Sequence, residues 1–217
     1  MIPPGVVCDP CNYWLGKQVD VPFVDRFDMR LTRGLEGLRG RSGNVPVTIA
    51  GRDATSRLDL ELEGGNVAIY AAKTEESEEG GLDIEVRPLQ RDPADVVART
   101  IRALWKIALA CAWLELRDET LDPQWDYLRH AILGAPFKGY LLQRPFTARV
   151  TRRLDVDISF TRAADPWAMV FGMGGVALAV PLKPGSRITR ADARHAGWEV
   201  HSTADAAPNA LHFRLVP

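Results

Sequence analysis

The chain has 217 residues, of which 46% are hydrophobic and 25% are charged. This composition is typical of a globular protein with a buried core, and it excludes disordered and collagen-like chains. The formal net charge of −1 is unevenly distributed, because residues 58–85 are strongly acidic while the segments on either side are net basic. An overall charge close to neutral therefore does not exclude an anionic partner.

Neither a signal peptide nor a membrane span is predicted. The N-terminus lacks a positively charged region followed by an apolar run. The most apolar stretch, residues 167–182, is interrupted by glycine and proline and is shorter than the roughly 20 residues that a spanning helix needs. Three cysteines are too few for a disulfide framework. We expect a cytoplasmic protein that does not enter a membrane.

The first regular elements are predicted after an arginine-containing, turn-rich segment at residues 1–45. Leucines alternate with acidic residues over 58–62, and apolar and acidic residues alternate again over 82–86. Such alternation is typical of half-buried β-strands. The run TEESEEGG at 74–81 is interpreted as a charged, solvated loop between them.

Two helices are predicted in the centre of the chain, each with its own start signal. The dipeptide Asp-Pro at 92–93 places an N-cap carboxylate before a proline, and apolar residues at helical spacing continue to about Leu116. A second Asp-Pro at 122–123 repeats the signal, and Gly134 is suited to end that helix. Each helix has one apolar face, so we expect the two to pack as a pair.

The remaining segments are predicted to be mainly strands. Residues 154–160 alternate in polarity, and 167–171 and 176–182 flank a GMGG turn as a hairpin. Two further short strands are expected at 198–201 and 211–216. The predicted fold class is α+β, with two central helices packed on a largely antiparallel β-sheet.

The segment VVCDPCNYWLGKQVD, residues 6–20, contains the most specific chemical motif. Its Cys-x-x-Cys brings Cys8 and Cys11 onto one turn, a spacing that lets two thiolates reach one tetrahedral Zn²⁺. A closed structural site has four ligands, and the sequence contains no second Cys-x-x-Cys. A redox-active pair and two surface cysteines without a function remain as alternatives. Cys111 falls on the apolar face of the first predicted helix and is interpreted as a core residue.

The order of residues in this segment resembles the second half of an HNH endonuclease finger. Cys8, Cys11 and Asn12 are followed by an aromatic residue, then by LGK and an acidic residue. Residues 35–135 are loosely similar to the region that follows the finger in bacterial HNH proteins. In that family a β-hairpin and a helix bind one divalent metal, such as Mg²⁺, and many members add a zinc held by two Cys-x-x-Cys pairs. The resemblance implies that residues 1–45 are the remnant of a ββα-metal finger with an arginine-rich connector. We expect 46–217 to form one α+β domain, because no Pro/Gly/Ser-rich linker of useful length divides them.

The resemblance also implies a reaction and roles for site residues. Cys8 and Cys11 would be zinc ligands, and Asn12 would orient the histidine that activates water during metal-dependent hydrolysis of DNA. No histidine precedes Cys8, so we expect a finger truncated at its start and a chain that is inactive as it stands. The alternatives are a non-catalytic DNA- or protein-binding module and an unrelated cytoplasmic α+β protein.

A basic band follows the cysteine motif. Its arginines are candidates for contact with DNA phosphates, which dominate affinity for DNA, and they are Arg26, Arg30, Arg33, Arg39 and Arg41. A solvated surface, or pairing with carboxylates such as Asp25 and Asp28, is the alternative interpretation.

Overall fold

In the computed structural model, the elements form an α+β fold, as the sequence predicts. The residues that the structure describes are 8–26, 28–29, 32–33, 56–62, 65–76, 82–86, 94–144, 146–149, 156–161, 168–173, 175–182, 197–204 and 211–216. The domain boundary predicted at residue 45 falls outside these residues and stays a prediction.

The described chain begins with a helical segment in the region predicted to be rich in turns. It consists of α1 (Asp9–Leu15), one π-helical turn (Gly16–Asp20) and α2 (Val21–Val24), and we call it the N-terminal helical segment. Leu15, Val19 and Phe23 recur every four residues and are buried. These three side chains form the apolar stripe of the segment, which packs on the central helix of the fold.

That central helix is α3 (Val96–Leu116). Its buried residues include Ile101, Leu104 and Ala108, which follow one another at three- and four-residue steps. The helix starts at Val96, later than the Asp-Pro signal at 92–93 predicts, because residues 94 and 95 form a turn.

The second predicted helix is confirmed as α4 (Asp126–Ile132), which packs against α3. A short 3₁₀ turn at Pro123–Trp125 precedes it, so its Asp-Pro signal marks the 3₁₀ turn rather than the α-helix. Gly134 follows the end of α4 with φ at 104°, a conformation that glycine adopts without the steric cost of a Cβ. The expected role of this glycine is therefore confirmed.

The described strands form two sheets, where the sequence analysis expected one. In the first, neighbouring strands follow the order β1 (Ser56–Leu62), β2 (Gly65–Glu76), β3 (Leu82–Val86), β10 (Leu211–Val216) and β5 (Phe146–Arg149). All its neighbours are antiparallel except β10 and β5. The prediction of a loop at 74–81 is partly wrong, because the first three of these residues belong to β2 and pair with β3.

The second sheet is antiparallel throughout and supports α3. Its order is β6 (Val156–Thr161), β7 (Ala168–Met173), β8 (Val176–Pro181), β4 (Tyr140–Gln143) and β9 (Glu199–Ser202). The strands β7 and β8 confirm the predicted hairpin. Trp105 of α3 donates its indole N–H to the carbonyl oxygen of Pro181 at 2.8 Å, which ties the helix to the end of β8.

The core lies between α3, the second sheet and the N-terminal helical segment. Phe23 meets Phe171 of β7 edge to face, with ring centroids 5.6 Å apart. On the other side, Trp105 packs against Tyr127 and Phe137. Among the described residues, no helix combines the length and the apolar character needed to cross a membrane.

Candidate functional site

Cys8 and Cys11 lie at the exposed beginning of the N-terminal helical segment. Side chains 8–14 are exposed, and Leu15 is the first buried residue. The two cysteines are joined by a disulfide, with Cα atoms 5.2 Å apart. The backbone N–H of Cys11 donates to Cys8 Sγ at 3.2 Å, and the N–H of Asn12 donates to the carbonyl oxygen of Cys8 at 2.8 Å. The helix therefore starts at the cysteine pair, and both cysteines are exposed residues.

Exposed aromatic side chains continue this surface beyond Asn12. Tyr13 is 66% exposed and Trp14 is 40% exposed. The ammonium of Lys17 lies 4.5 Å from the centroid of the Tyr13 ring, within the range of a cation–π contact. Asn12, Tyr13, Trp14 and Lys17 together form what we call the aromatic face of the segment.

The cysteine pair fits half of a structural zinc site. Two thiolates at this spacing suit Zn²⁺, which takes four such ligands in a closed site. Within the part of the chain that the structure describes, no group of three or more His, Cys, Asp or Glu side chains is placed to hold a metal ion. A disulfide has no thiolate to offer a metal, so the form that fits zinc is the reduced pair.

An ion pair fastens the N-terminal helical segment to α3. Lys106 Nζ lies 2.7 Å from Oδ1 and 2.5 Å from Oδ2 of Asp20. The lysine side chain is mostly buried and the aspartate is half exposed. Asp20 is the acidic residue of the HNH-like motif, and here it holds the segment in place.

Arg26 belongs to a buried polar network, which corrects its placement in a surface band. Its Nε donates to Asp28 Oδ1 at 3.0 Å, and its Nη2 donates to Asp28 Oδ2 at 2.6 Å. Nη1 donates to Thr100 Oγ1 and Nη2 to Gln143 Oε1, each at 3.0 Å. Arg26 is only 7% exposed and Asp28 only 2% exposed. The pairing with Asp28 was the alternative interpretation, and it removes Arg26 from the set that contacts phosphate.

The other arginines of the band are placed only in part. Arg33 is half-buried in a short helical turn with Thr32. Arg30, Arg39 and Arg41 lie outside the described residues, so their contact with DNA stays a prediction.

Cys111 is the free thiol of the chain and lies half-buried on α3. Burial raises the pKa of this thiol, and the neighbouring Glu115 carboxylate raises it further. The thiol is therefore mainly protonated at neutral pH and a poor nucleophile. Cys111 is not among the buried residues of the core, which corrects its interpretation as a core residue.

Comparison with known proteins identifies no relative: no family model, no curated protein and no solved structure matches the chain.

Proposed function

We propose that the protein is related to the HNH endonucleases and acts on DNA through its N-terminal helical segment. In this proposal Cys8 and Cys11 are the second cysteine pair of a zinc finger, and Asn12 occupies the first turn of the finger helix. One observation carries the proposal. An exposed helix starts at the cysteine pair, and Asn12 follows the pair directly, which is the order of residues on which the HNH resemblance rests.

The activity implied by the resemblance is metal-dependent hydrolysis of DNA phosphodiesters. The described residues do not assemble a site for the divalent metal, so we derive no hydrolytic step from them. Asn12 is exposed, so its side-chain amide is accessible, but no histidine precedes Cys8 for it to orient.

A second candidate is a non-catalytic module that binds DNA or a protein. The aromatic face favours this candidate, because Tyr13 and Trp14 are exposed and the cation of Lys17 lies over the Tyr13 ring. Aromatic rings stack on unpaired bases, and lysine contacts phosphate, so this surface suits a nucleic acid without any hydrolysis.

Two assays on one preparation test the proposal and separate the candidates. Reduced, zinc-supplemented protein is mixed with supercoiled plasmid and Mg²⁺, and nicking of the plasmid is measured. The same protein is mixed with labelled DNA at increasing salt, and the fraction of DNA that it retains is measured. We expect retention that weakens steeply with salt, since phosphate contacts release counterions. Trp14→Ala should weaken retention, whereas Gln18→Ala, on an exposed position of the same segment, should not.

The nicking assay then decides whether catalysis accompanies binding. Mg²⁺-dependent nicking that is lost in Asn12→Ala supports the nuclease candidate. Retention without nicking supports the binding module. A protein that neither retains nor nicks DNA contradicts the nuclease candidate and a module that binds DNA.

A further inference from the structure

The Cys8–Cys11 disulfide has the two properties that thiol–disulfide exchange requires. Exchange proceeds by attack of a thiolate on a sulfur atom, so the disulfide must be accessible. Both cysteines are exposed, and so are all their neighbours from Asp9 to Trp14. The second property is a means of stabilising the thiolate that leaves. The N–H of Cys11 already points at Cys8 Sγ from 3.2 Å, and a donor in this position favours negative charge on that sulfur.

We propose that Cys8 and Cys11 form a reversible dithiol–disulfide couple that exchanges electrons with an external dithiol, either a small molecule or a protein. The couple also controls the site of the proposed function, because only the dithiol form can bind zinc. That second consequence rests on the proposed function, whereas the exchange itself does not.

The exchange reaction balances without any further reactant. A thiolate of the external dithiol attacks Cys11 Sγ, the Cys8–Cys11 bond breaks, and Cys8 leaves as a thiolate facing the Cys11 N–H. The second thiolate of the reductant then attacks the mixed disulfide and releases Cys11. The external dithiol becomes a disulfide, and two electrons and two protons pass to the cysteine pair.

The surrounding structure is compatible with both states of the couple. The turn is held by the backbone hydrogen bond from Asn12 to Cys8, at 2.8 Å, which does not involve sulfur. Below it, Leu15 and Val19 anchor the helix in the core. The disulfide closes a loop of only a few residues, so it restricts the unfolded chain little and contributes little to stability. Reduction should therefore leave the segment folded.

A redox titration in the presence of a metal chelator tests this proposal. The native protein is equilibrated with reduced and oxidised dithiothreitol over a range of ratios, alkylated, and analysed by peptide mass. We expect Cys8 and Cys11 to change together from fully protected to fully alkylated as the dithiol fraction rises. Cys111 should be alkylated independently of that ratio, which makes Cys111→Ser the matched control variant.

Single-cysteine variants test the assigned roles. With Cys11→Ser, the remaining Cys8 thiol should form a mixed disulfide with oxidised glutathione faster than the Cys11 thiol does in Cys8→Ser. Equal rates, or the reverse order, would contradict the proposal that the Cys11 N–H stabilises the Cys8 thiolate.

Two outcomes of the titration would overturn the proposal that Cys8 and Cys11 form a reversible couple. One is a pair that stays alkylatable under fully oxidising conditions. The other is a disulfide that excess dithiol cannot reduce until the protein is unfolded, which would make it an inert cross-link. Because a chelator is present, neither outcome depends on zinc. A working couple in a protein that never binds zinc would refute the proposed function and leave the exchange intact.

Discussion

At the scale of single residues, the guanidinium of Arg26 determines how the N-terminal region is attached to the rest of the molecule. It connects Asp28 with Thr100 on α3 and Gln143 on β4 through four hydrogen bonds. Each of these partners is itself buried. Removing one member of such a network leaves the opposite charge buried without compensation, which costs far more than the intact pair contributes.

We therefore predict that Arg26→Ala lowers the free energy of unfolding by about 3–5 kcal/mol. Urea denaturation monitored by circular dichroism measures this loss. Arg99→Ala is the matched control, because Arg99 pairs with Asp95 at a largely exposed position, where an ion pair contributes about 0–1 kcal/mol. An Arg26→Ala protein that is as stable as the control would contradict the buried network.

The sequence could not have identified this network. Arg26 and Thr100 are 74 positions apart, and Arg26 and Gln143 are 117 positions apart. An arginine near other arginines is equally compatible with a phosphate-binding surface and with a buried ion pair until its tertiary neighbours are known. Cys8, Cys11 and Asn12 differ in this respect, because their chemistry depends on a local turn, which the three-residue spacing of the two cysteines already indicates.

At the scale of elements, α3 is the helix on which the other layers pack. It contacts the N-terminal helical segment, α4 and the second sheet. Ile101, Leu104 and Ala108 are fully buried along it, while Leu114 near its end is 56% exposed. Leucine thus occurs on this helix both in the core, as Leu104, and exposed to solvent, as Leu114.

This contrast predicts different effects for one substitution at two positions of α3. Leu104→Ala should lower the free energy of unfolding by about 2–5 kcal/mol, since it removes buried methyl groups and leaves a cavity. Leu114→Ala should change it by less than about 0.5 kcal/mol, because an exposed leucine loses little packing. Equal losses in denaturant unfolding would show that the core does not lie where the structure puts it.

Most strands and both central helices could be predicted, because each has its own periodicity and its own end signals. The N-terminal helical segment could not. Gly16 and Pro22 interrupt its sequence and favour turns, yet burial of Leu15, Val19 and Phe23 against α3 stabilises the helix. The extension of β2 through Glu76 has a similar cause, since pairing with β3 satisfies the backbone of three charged or polar residues.

At the scale of the whole molecule, the strand topology depends on contacts that are distant in sequence. The final strand, β10, lies between β3 and β5 and is antiparallel to one and parallel to the other. Alternating polarity predicts that such a strand exists, but it does not specify its neighbours. The division into two sheets could therefore not be predicted from the sequence pattern.

Contacts that are distant in sequence also explain how the candidate site is held at the surface. The N-terminal helical segment is fixed to the core by its apolar stripe, by the Lys106–Asp20 ion pair and by the Arg26 network that follows it. Its first turn extends from this anchored base with the cysteine pair and the aromatic face exposed. The first turn of the segment is therefore held on a buried base and is exposed to solvent.

The proposal that the reduced Cys8–Cys11 pair supplies two of the four ligands of a zinc site is tested most directly by the metal content of four proteins. Wild type, Cys8→Ser, Cys11→Ser and Cys111→Ser are reduced without oxygen, dialysed against zinc and analysed for bound metal. The account predicts that wild type and Cys111→Ser retain zinc, and that Cys8→Ser and Cys11→Ser lose it. Equal zinc content in all four proteins, or no zinc in wild type, would contradict it.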